Sequence, residues 1–357
     1  MRFIPSKYLR PGMVLNRDLF DADNKLLLSA GQSLTERSIR IINDKHYRGV
    51  YIQDSLIEEM VLEEESISQA LRNTAVRSLK DFFSSVRSNN MMMSREALAG
   101  IKDVVDEMIQ DIAVSPYASS SMTDLKIFDD YTYYHSVNVT VISLLLGMAI
   151  NLKREELRLL GLGAMLHDIG KIFLPKNILD KQEPLTDNEF LLIKSHANKG
   201  YKYLISKWEI PVESCVAVLS HHEKFDGSGY PNSSMGLSIP RFGRIVAVAD
   251  VYDALTSDRP YREALLPSEA MEYIIGNCYT HFDPHVVNTF LQKISPYPIG
   301  THVILSNGLE GIVIENHPQS GLRPKIKIIS DSSIPIYCDL ATDLNMLDVT
   351  IVGISYK

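Results

Sequence analysis

The stretch Gly161-Leu-Gly-Ala-Met-Leu-His-Asp-Ile-Gly-Lys171 ends an apolar run with an imidazole and a carboxylate. The apolar side chains that lead into it recur at the spacing of one helix face: Leu157, Leu160 and Ala164. This spacing predicts an amphipathic helix that carries His167 and Asp168 toward the protein interior. A buried carboxylate is costly unless a cation or hydrogen-bond donors compensate it. The two residues alone also fit an exposed helix end, so their meaning depends on the ligand-type residues found elsewhere.

Composition predicts a globular protein of two or three domains. The chain has 357 residues, of which 45% are hydrophobic and 22% charged, as in ordinary soluble proteins. The net charge of -8 disfavours nonspecific binding to a nucleic-acid polymer or an anionic membrane, because both are polyanions. Any anionic substrate must therefore be held by local cations.

Three features lead us to expect a cytoplasmic protein that does not insert into membranes. The three cysteines form no CxxC pair, which is typical of a reduced compartment. The first residues lack the apolar core of a signal peptide. The most apolar run, Val137 to Ile150, is shorter than the roughly 20 residues that cross a bilayer.

Residues 1–55 predict a small mixed α/β module. The turn-rich segment Asp21–Asn24 is flanked by two apolar segments, Met13–Leu15 and Lys25–Leu28, a pattern that predicts a hairpin. Thr35 and Glu36 open a short helix, and Gly49–Ile52 reads as a closing strand. The absence of clustered catalytic residue types favours a packing or regulatory role.

Residues 296–357 predict a small β appendage. Thr301–Leu305 and Gly311–Glu315 bracket Asn307-Gly308, a strong hairpin signal, and Lys325–Ile329 continues the alternating pattern. His302 and His317 have no carboxylate or cysteine nearby in sequence, so we predict that both lie on the surface.

Residues 56–119 predict a polar helical linker with a break within Ser84–Ser94. Helices this polar favour a partner, which is either a second copy of the chain in a homodimer or the neighbouring domain. Residues 120–295 form a dense helical region with most of the metal-ligating residue types. The predicted fold class is therefore mainly α, a helical bundle with a small α/β module before it and a small β appendage after it.

Five of the histidines in the helical region lie on or beside apolar helix faces. With two carboxylates they make seven candidate metal ligands: His135, His167, Asp168, His196, His221, His222 and Asp250. A single such histidine is more often a hydrogen-bonded core residue, but seven together are difficult to bury without a cation. Imidazole and carboxylate without thiolate suit Fe, Mn, Zn, Ni or Co.

Seven ligands exceed one tetrahedral site and predict two divalent ions, typically about 3.5–4 Å apart, that share a bridging carboxylate. Asp168 is the candidate bridge. Such a pair activates water for attack on phosphorus. Lys171, one helical turn from His167, would offset charge on the phosphoryl oxygens, which makes Asp168 and Lys171 the candidate catalytic residues. The alternative for Lys171 is a solvated side chain after a helix end.

Three motifs resemble those of HD-GYP domains: His167–Lys171, His221–Pro231 and Val248–Tyr261. HD-GYP domains are bacterial phosphodiesterases of the HD superfamily that hydrolyse cyclic di-GMP, and Fe or Mn are the metals we expect first. The resemblance covers roughly residues 120–295 and implies an HD-type helical bundle with the seven residues above as metal ligands. It also implies a substrate site lined by Lys171, Tyr230, Asp253, Arg259 and Arg262.

One position departs from the family pattern. Some members carry a glutamate one helical turn before the first histidine, as a ligand of a third ion. Here that position is Tyr131, so we predict two ions, and cleavage of the linear product pGpG on to GMP is in doubt.

Two other functions remain open from the sequence. The substrate could be another cyclic dinucleotide, such as cyclic GMP-AMP, because an arginine pairs with several base edges. Alternatively, the chain is a cyclic di-GMP receptor with little turnover that signals to protein partners through its terminal modules.

Overall fold

The structure is a computed structural model that describes residues 2–21, 25–45, 47, 49–54, 66–114, 131–179, 181, 183–208, 210–257, 264–317, 320–330 and 334–356. These residues form two compact units. The terminal unit contains the described residues of Met1–Glu65 and Ile294–Lys357, and the helical unit those of Ser66–Ala118 and Thr132–Lys293. The predicted modules 1–55 and 296–357 thus belong to the same unit, while the four-segment division stays a prediction.

The first part of the terminal unit is a small α/β structure. Its elements are β1 (Arg2–Pro5), β2 (Leu19–Phe20), β3 (Leu26–Leu28), α1 (Glu36–Asp44) and β4 (Gly49–Ile52). Strand β1 pairs antiparallel with β4, and β2 with β3. As predicted, Thr35 caps α1, because its hydroxyl accepts a hydrogen bond from the backbone N–H of Ser38.

The predicted hairpin around Asp21–Asn24 exists, but its first strand was wrong. The strand is β2, and Met13–Leu15 lies outside it, with Val14 and Leu15 bridging Ser33 and Ile52. Leu19 is almost fully buried, and the backbone N–H of Asp21 donates to the Lys25 carbonyl at 2.9 Å. The strand that pairs with β3 is thus the apolar segment nearest to it along the chain. The sequence pattern did not predict which apolar segment would form this strand.

The second part of the terminal unit is a five-stranded antiparallel sheet in the order β8-β7-β6-β5-β9. The strands are β5 (His302–Leu305), β6 (Glu310–Glu315), β7 (Lys325–Ile328), β8 (Ile336–Asp339) and β9 (Ile351–Ile354). The Asn307-Gly308 hairpin is confirmed, and Gly308 supplies the positive φ of 85° that the turn requires.

The surface prediction is wrong for His302, whereas the His317 side chain is 25% exposed and does not contradict it. His302 is 7% exposed, and its Nε2 lies 2.9 Å from the Asp54 carboxylate. The Nε2 of His317 lies 2.9 Å from Asp339. Both partners are distant in sequence, so local inspection of the chain could not find them.

The helical unit contains ten described helices. They are α2 (Gln69–Arg87), α3 (Met91–Val114), α4 (Tyr131–Ala149), α5 (Arg154–Met165), α6 (Lys176–Leu179), α7 (Asp187–Lys207), α8 (Val212–Ser220), α9 (Arg241–Leu255), α10 (Pro267–Gly276) and α11 (Pro284–Lys293). The predicted mainly α fold class is confirmed. Among the described residues, no helix has both the length and the apolar character that crossing a bilayer requires.

Helix α5 is the centre of the unit, since it contacts α3, α8 and α9. The buried side chains of α5 include Leu157, Leu160 and Ala164, as their spacing predicted. The break between α2 and α3 is shorter than expected, and Met91–Met93 opens α3 with exposed side chains. Helices α2 and α3 pack on each other.

Candidate metal centre

Close packing of the segment after α5 against α7 brings His167 and Asp168 near a third candidate ligand, His196. After α5 the chain turns through a 3-10 segment, Ile169–Phe173. A side chain at Gly170 would overlap the backbone oxygen of His196 in α7, so only glycine allows this approach. As a result, the Nε2 atom of His196 lies 3.5 Å from Oδ1 of Asp168.

Helices α4 and α9 supply the other side of the centre. The His135 Nε2 lies 3.0 Å from Oδ1 of Asp250, and the His167 Nε2 lies 3.9 Å from the same oxygen. His135 lies near the start of α4 and Asp250 lies within α9, so both side chains are held by regular backbone.

The end of α8 places two adjacent histidines at the centre. The Nε2 atoms of His196 and His221 are 3.3 Å apart, and the His222 Nδ1 lies 4.0 Å from Oδ2 of Asp250. His221 is buried, whereas the His222 side chain is 27% exposed. His222 therefore marks the side of the centre that faces solvent.

All seven predicted ligands converge. Their ligand atoms form three overlapping groups, each within 4.8 Å: His135, His167 and Asp250; His167, Asp168 and His221; His196, His221 and His222. Asp168 directs one oxygen to each side, with Oδ2 3.4 Å from the His167 Nε2 and Oδ1 3.5 Å from the His196 Nε2. This is the geometry expected of a bridging carboxylate.

Hydrogen bonds on the outer side of three rings set their tautomers. The Nδ1–H groups of His167, His196 and His221 donate to backbone carbonyls three residues earlier, at 2.8, 2.7 and 2.8 Å. Their Nε2 lone pairs therefore face the centre, which is the form that binds metals. The buried Nε2 of His167 has no hydrogen-bond partner among the described residues, so the donor set fits a cation.

The electrostatics of the centre fit divalent cations. Burial raises the pKa of the Asp168 carboxyl, but the charges of Lys171 and His167 outweigh it and hold that pKa well below its usual value. Burial also raises the pKa of the Asp250 carboxyl, but a hydrogen bond from His135 outweighs burial and keeps that pKa well below its usual value. Burial lowers the pKa of His222 to about 3. Two anionic carboxylates thus face the imidazoles of His196, His221 and His222, whose pKa values burial lowers.

Asp253, which the resemblance assigns to the substrate site, contacts a candidate metal ligand. It is 2% exposed, and its Oδ2 accepts a hydrogen bond from the His135 Nδ1 at 2.7 Å, while Asn138 donates to Oδ1 at 2.9 Å. A carboxylate hydrogen-bonded in this way orients His135. Together with Asp250 it overcomes burial and raises the pKa of His135 to about 9.

Sequence reasoning missed the support behind Asp253. Arg72, in α2, is 2% exposed and donates to the side-chain oxygen of Asn138. A chain of polar contacts therefore runs from α2 through α4 and α9 to a candidate ligand. The available signal was an arginine beside the apolar positions Leu71 and Ala75 of α2, and an asparagine in the apolar run of α4.

The glycine-rich loop after α8 is held by a second overlooked residue, Glu223. This side chain is buried, and its two oxygens accept hydrogen bonds from the backbone N–H groups of Asn232 at 2.7 Å and Ser234 at 3.0 Å. The loop closes tightly, because a side chain at Gly229 would overlap the backbone of Lys224. The Tyr230 ring consequently stacks on the His222 ring at 4.7 Å, and burial keeps the pKa of its hydroxyl above the usual value.

Lys171 lies beside the candidate bridge, with its Nζ 2.6 Å from Oδ2 of Asp168 and its side chain 34% exposed. It therefore contacts both the centre and solvent. Two other predicted residues, Arg259 and Arg262, lie outside the described residues, as does the side chain of Tyr131.

Comparison with known proteins agrees with this arrangement. The HD domain family profile matches residues 107–286. The chain is 38% identical over 240 residues to the cyclic di-GMP phosphodiesterase PA4108 of Pseudomonas aeruginosa, covering 67% of this chain and 58% of that protein. It is 31% identical over 256 residues to the cyclic di-GMP phosphodiesterase response regulator RpfG of Xanthomonas campestris, covering 71% and 66%.

Among solved structures, the fold is similar to that of Bd1817, a HDG"Y"P protein from Bdellovibrio bacteriovorus. The TM-score is 0.54 at 18% sequence identity, covering 81% of this chain and 97% of that one. The chain spans less than two thirds of the length of either curated relative. The predicted resemblance to HD-GYP domains is confirmed, and the chain belongs to the HD domain family.

Proposed function

We propose that the chain is a metal-dependent phosphodiesterase that hydrolyses cyclic di-GMP to pGpG. The observation that carries this proposal is the convergence of five imidazoles and two carboxylates from five helical segments. The names of the two curated relatives support the choice of substrate.

The contacts support two ligand sets that share Asp168. The first would be His135, His167, Asp168 and Asp250, and the second Asp168, His196, His221 and His222. Fe or Mn are the ions we expect first, with Zn, Ni or Co as alternatives that the same donors accept. Two such ions supply Lewis acidity and a water of lowered pKa.

The protein's own residues bind and orient the substrate. Lys171 offsets negative charge on the phosphoryl oxygens near Asp168. Tyr230, stacked on His222 and protonated at neutral pH, donates a hydrogen bond to the ligand at the exposed side of the centre. Arg259 and Arg262 stay proposed substrate contacts through the family motif alone.

The expected product is pGpG, because Tyr131 replaces the glutamate that would hold a third ion. The test is chromatography of products from full-length protein prepared anaerobically with Mn or Fe and given cyclic di-GMP. Rapid formation of pGpG with two ions per chain supports the proposal, and absence of turnover with either metal overturns it.

Two alternatives are outcomes of the same experiment. Faster hydrolysis of cyclic GMP-AMP than of cyclic di-GMP would reassign the substrate. Tight binding of cyclic di-GMP without product would indicate a receptor that signals to protein partners. A homodimer stays a prediction, which the mass of the protein in solution tests.

A further inference from the structure

Three side chains form a rim beside the exposed face of the metal centre. The Lys194 Nζ lies 4.6 Å from the centroid of the Phe190 ring and 5.2 Å from that of Tyr230. Both distances are within the range of a cation–π interaction. The Tyr230 ring in turn stacks on His222, so a single aromatic ring separates Lys194 from a candidate ligand.

The Lys194 ammonium of this rim contacts two aromatic rings and has no carboxylate partner among the described residues. Among the described residues, no acidic side chain lies within ion-pair distance of Lys194, whereas Lys171 pairs with Asp168 at 2.6 Å. In a chain of net charge -8, a partly buried ammonium held over two rings attracts an anion. The regular backbone of α7, which also carries His196, fixes its position.

Phe190 gives the rim a second binding feature. Its side chain is 47% exposed, although it lies one helical turn before Lys194 on α7. An exposed aromatic ring beside a cation is suited to stacking against a nucleobase while the cation contacts phosphate.

We propose that Phe190 and Lys194 form a subsite for the half of the cyclic dinucleotide that is not being cleaved. The inference rests on the proposed function and extends it. A cyclic dinucleotide carries two phosphates, and the ions engage the one that is hydrolysed. Lys194 binds the other phosphate, and Phe190 stacks against the base attached to it.

The test compares initial rates for wild type, Lys194→Met and Lys202→Met on cyclic di-GMP. Lys202 is an exposed lysine two turns further along α7, which makes it a matched control for lost charge. We expect Lys194→Met to raise KM about tenfold, the effect of losing one charge-assisted hydrogen bond, with kcat and metal content nearly unchanged. Added salt should raise KM less in this variant than in wild type.

A second pair of variants tests the stacking role. Phe190→Ala should raise KM about fivefold, within the range measured for base–aromatic stacking. Leu191→Ala removes a neighbouring side chain that is 62% exposed and should leave KM unchanged.

The outcomes separate this inference from the proposed function. Turnover by wild type with KM for Lys194→Met within twofold of Lys202→Met overturns the subsite and leaves the phosphodiesterase intact. If wild type shows no turnover, the proposed function fails, and equilibrium binding of labelled cyclic di-GMP decides the subsite. Weaker binding in Lys194→Met alone supports it, and equal or absent binding in all three proteins overturns it.

Discussion

Two regions of this molecule bury histidine beside carboxylate, and they do so in opposite ways. In the terminal unit, the His302 Nδ1 accepts from Arg2 at 3.2 Å, and its Nε2 lies 2.9 Å from Asp54. The Arg2 Nε also lies 3.3 Å from the Asp54 carboxylate, so ion pairs join one imidazole, one acid and one guanidinium. In the candidate metal centre, the His167 ring instead donates from Nδ1 to a backbone carbonyl, and its Nε2 lies 3.4 Å from Asp168 and 3.9 Å from Asp250.

The difference shows that burial of histidine and acid does not itself identify a metal site. What distinguishes the two regions is the direction in which each ring's proton points. A ring whose proton is used by the surrounding backbone presents a lone pair to its cavity, and several such rings require a cation. The terminal cluster requires none, because Arg2 already supplies the positive charge.

The largest effect is expected from a change at the candidate bridge, which should lower the metal content, whereas a change in the terminal unit should not. Asp168→Ala removes the carboxylate whose two oxygens face both ligand groups. We expect at least one ion to be lost and kcat/KM to fall by more than about 100-fold, beyond what loss of an outer hydrogen bond costs. Metal analysis and initial rates check this, with His302→Ala as the control that retains both ions. Equal metal content in wild type and Asp168→Ala would contradict the bridging role.

A smaller effect is expected for Asp253, which is not itself a candidate ligand but hydrogen-bonds to one. Asp253→Asn weakens the hydrogen bond that orients His135 and should lower metal affinity or activity about 10–100-fold. Titration of the metal-depleted protein measures the affinity. Unchanged affinity together with a raised KM would instead favour the substrate role that the motif implied.

The corresponding change in the terminal unit should affect stability and not chemistry. Asp54→Asn leaves Arg2 and His302 without their shared anion and should cost about 2 kcal/mol of local stability, as expected for hydrogen bonds to charged groups. Hydrogen exchange should become faster in β1, β4 and β5 and stay unchanged in α5, with kcat unaltered. A loss of bound metal in this variant would remove the distinction between the two regions.

The smallest effect concerns the partly exposed ion pair of Lys181 and Glu189 at the start of α7. Hydrogen bonds from Lys181 and Thr186 lower the pKa of Glu189 to about 2. This carboxylate therefore stabilises the start of α7 above its unfolded pKa near 4.5, and that contribution is lost as the pH falls toward 2. The protection factors of the amides in the first turn of α7, which correct exchange rates for the intrinsic pH dependence, should fall over this range in wild type but not in Glu189→Gln. Identical profiles would remove Glu189 as the cause.

Local patterns predicted much of the fold and the candidate ligands. Helix α5, the capping box of Thr186 and Glu189, and the Asn307-Gly308 hairpin each depend on residues within one or two turns of chain. The seven candidate ligands were predicted for a related reason, since imidazoles beside apolar helix faces have few other uses when they occur together.

Contacts between distant segments could not be predicted in the same way. His302 was assigned to the surface because its partner Asp54 lies in a different part of the chain. Asp253 was assigned to the substrate because its motif does not show which side of α9 faces His135. In both cases tertiary packing decides the partner of a polar group.

Anomalous diffraction from crystals of the anaerobically prepared protein, measured at the Mn or Fe absorption edge, tests the central claim most directly. We expect two peaks about 3.5–4 Å apart, with Asp168 between them. One peak should lie beside His135, His167 and Asp250, and the other beside His196, His221 and His222. A single peak, a third peak, or peaks away from these side chains would contradict it.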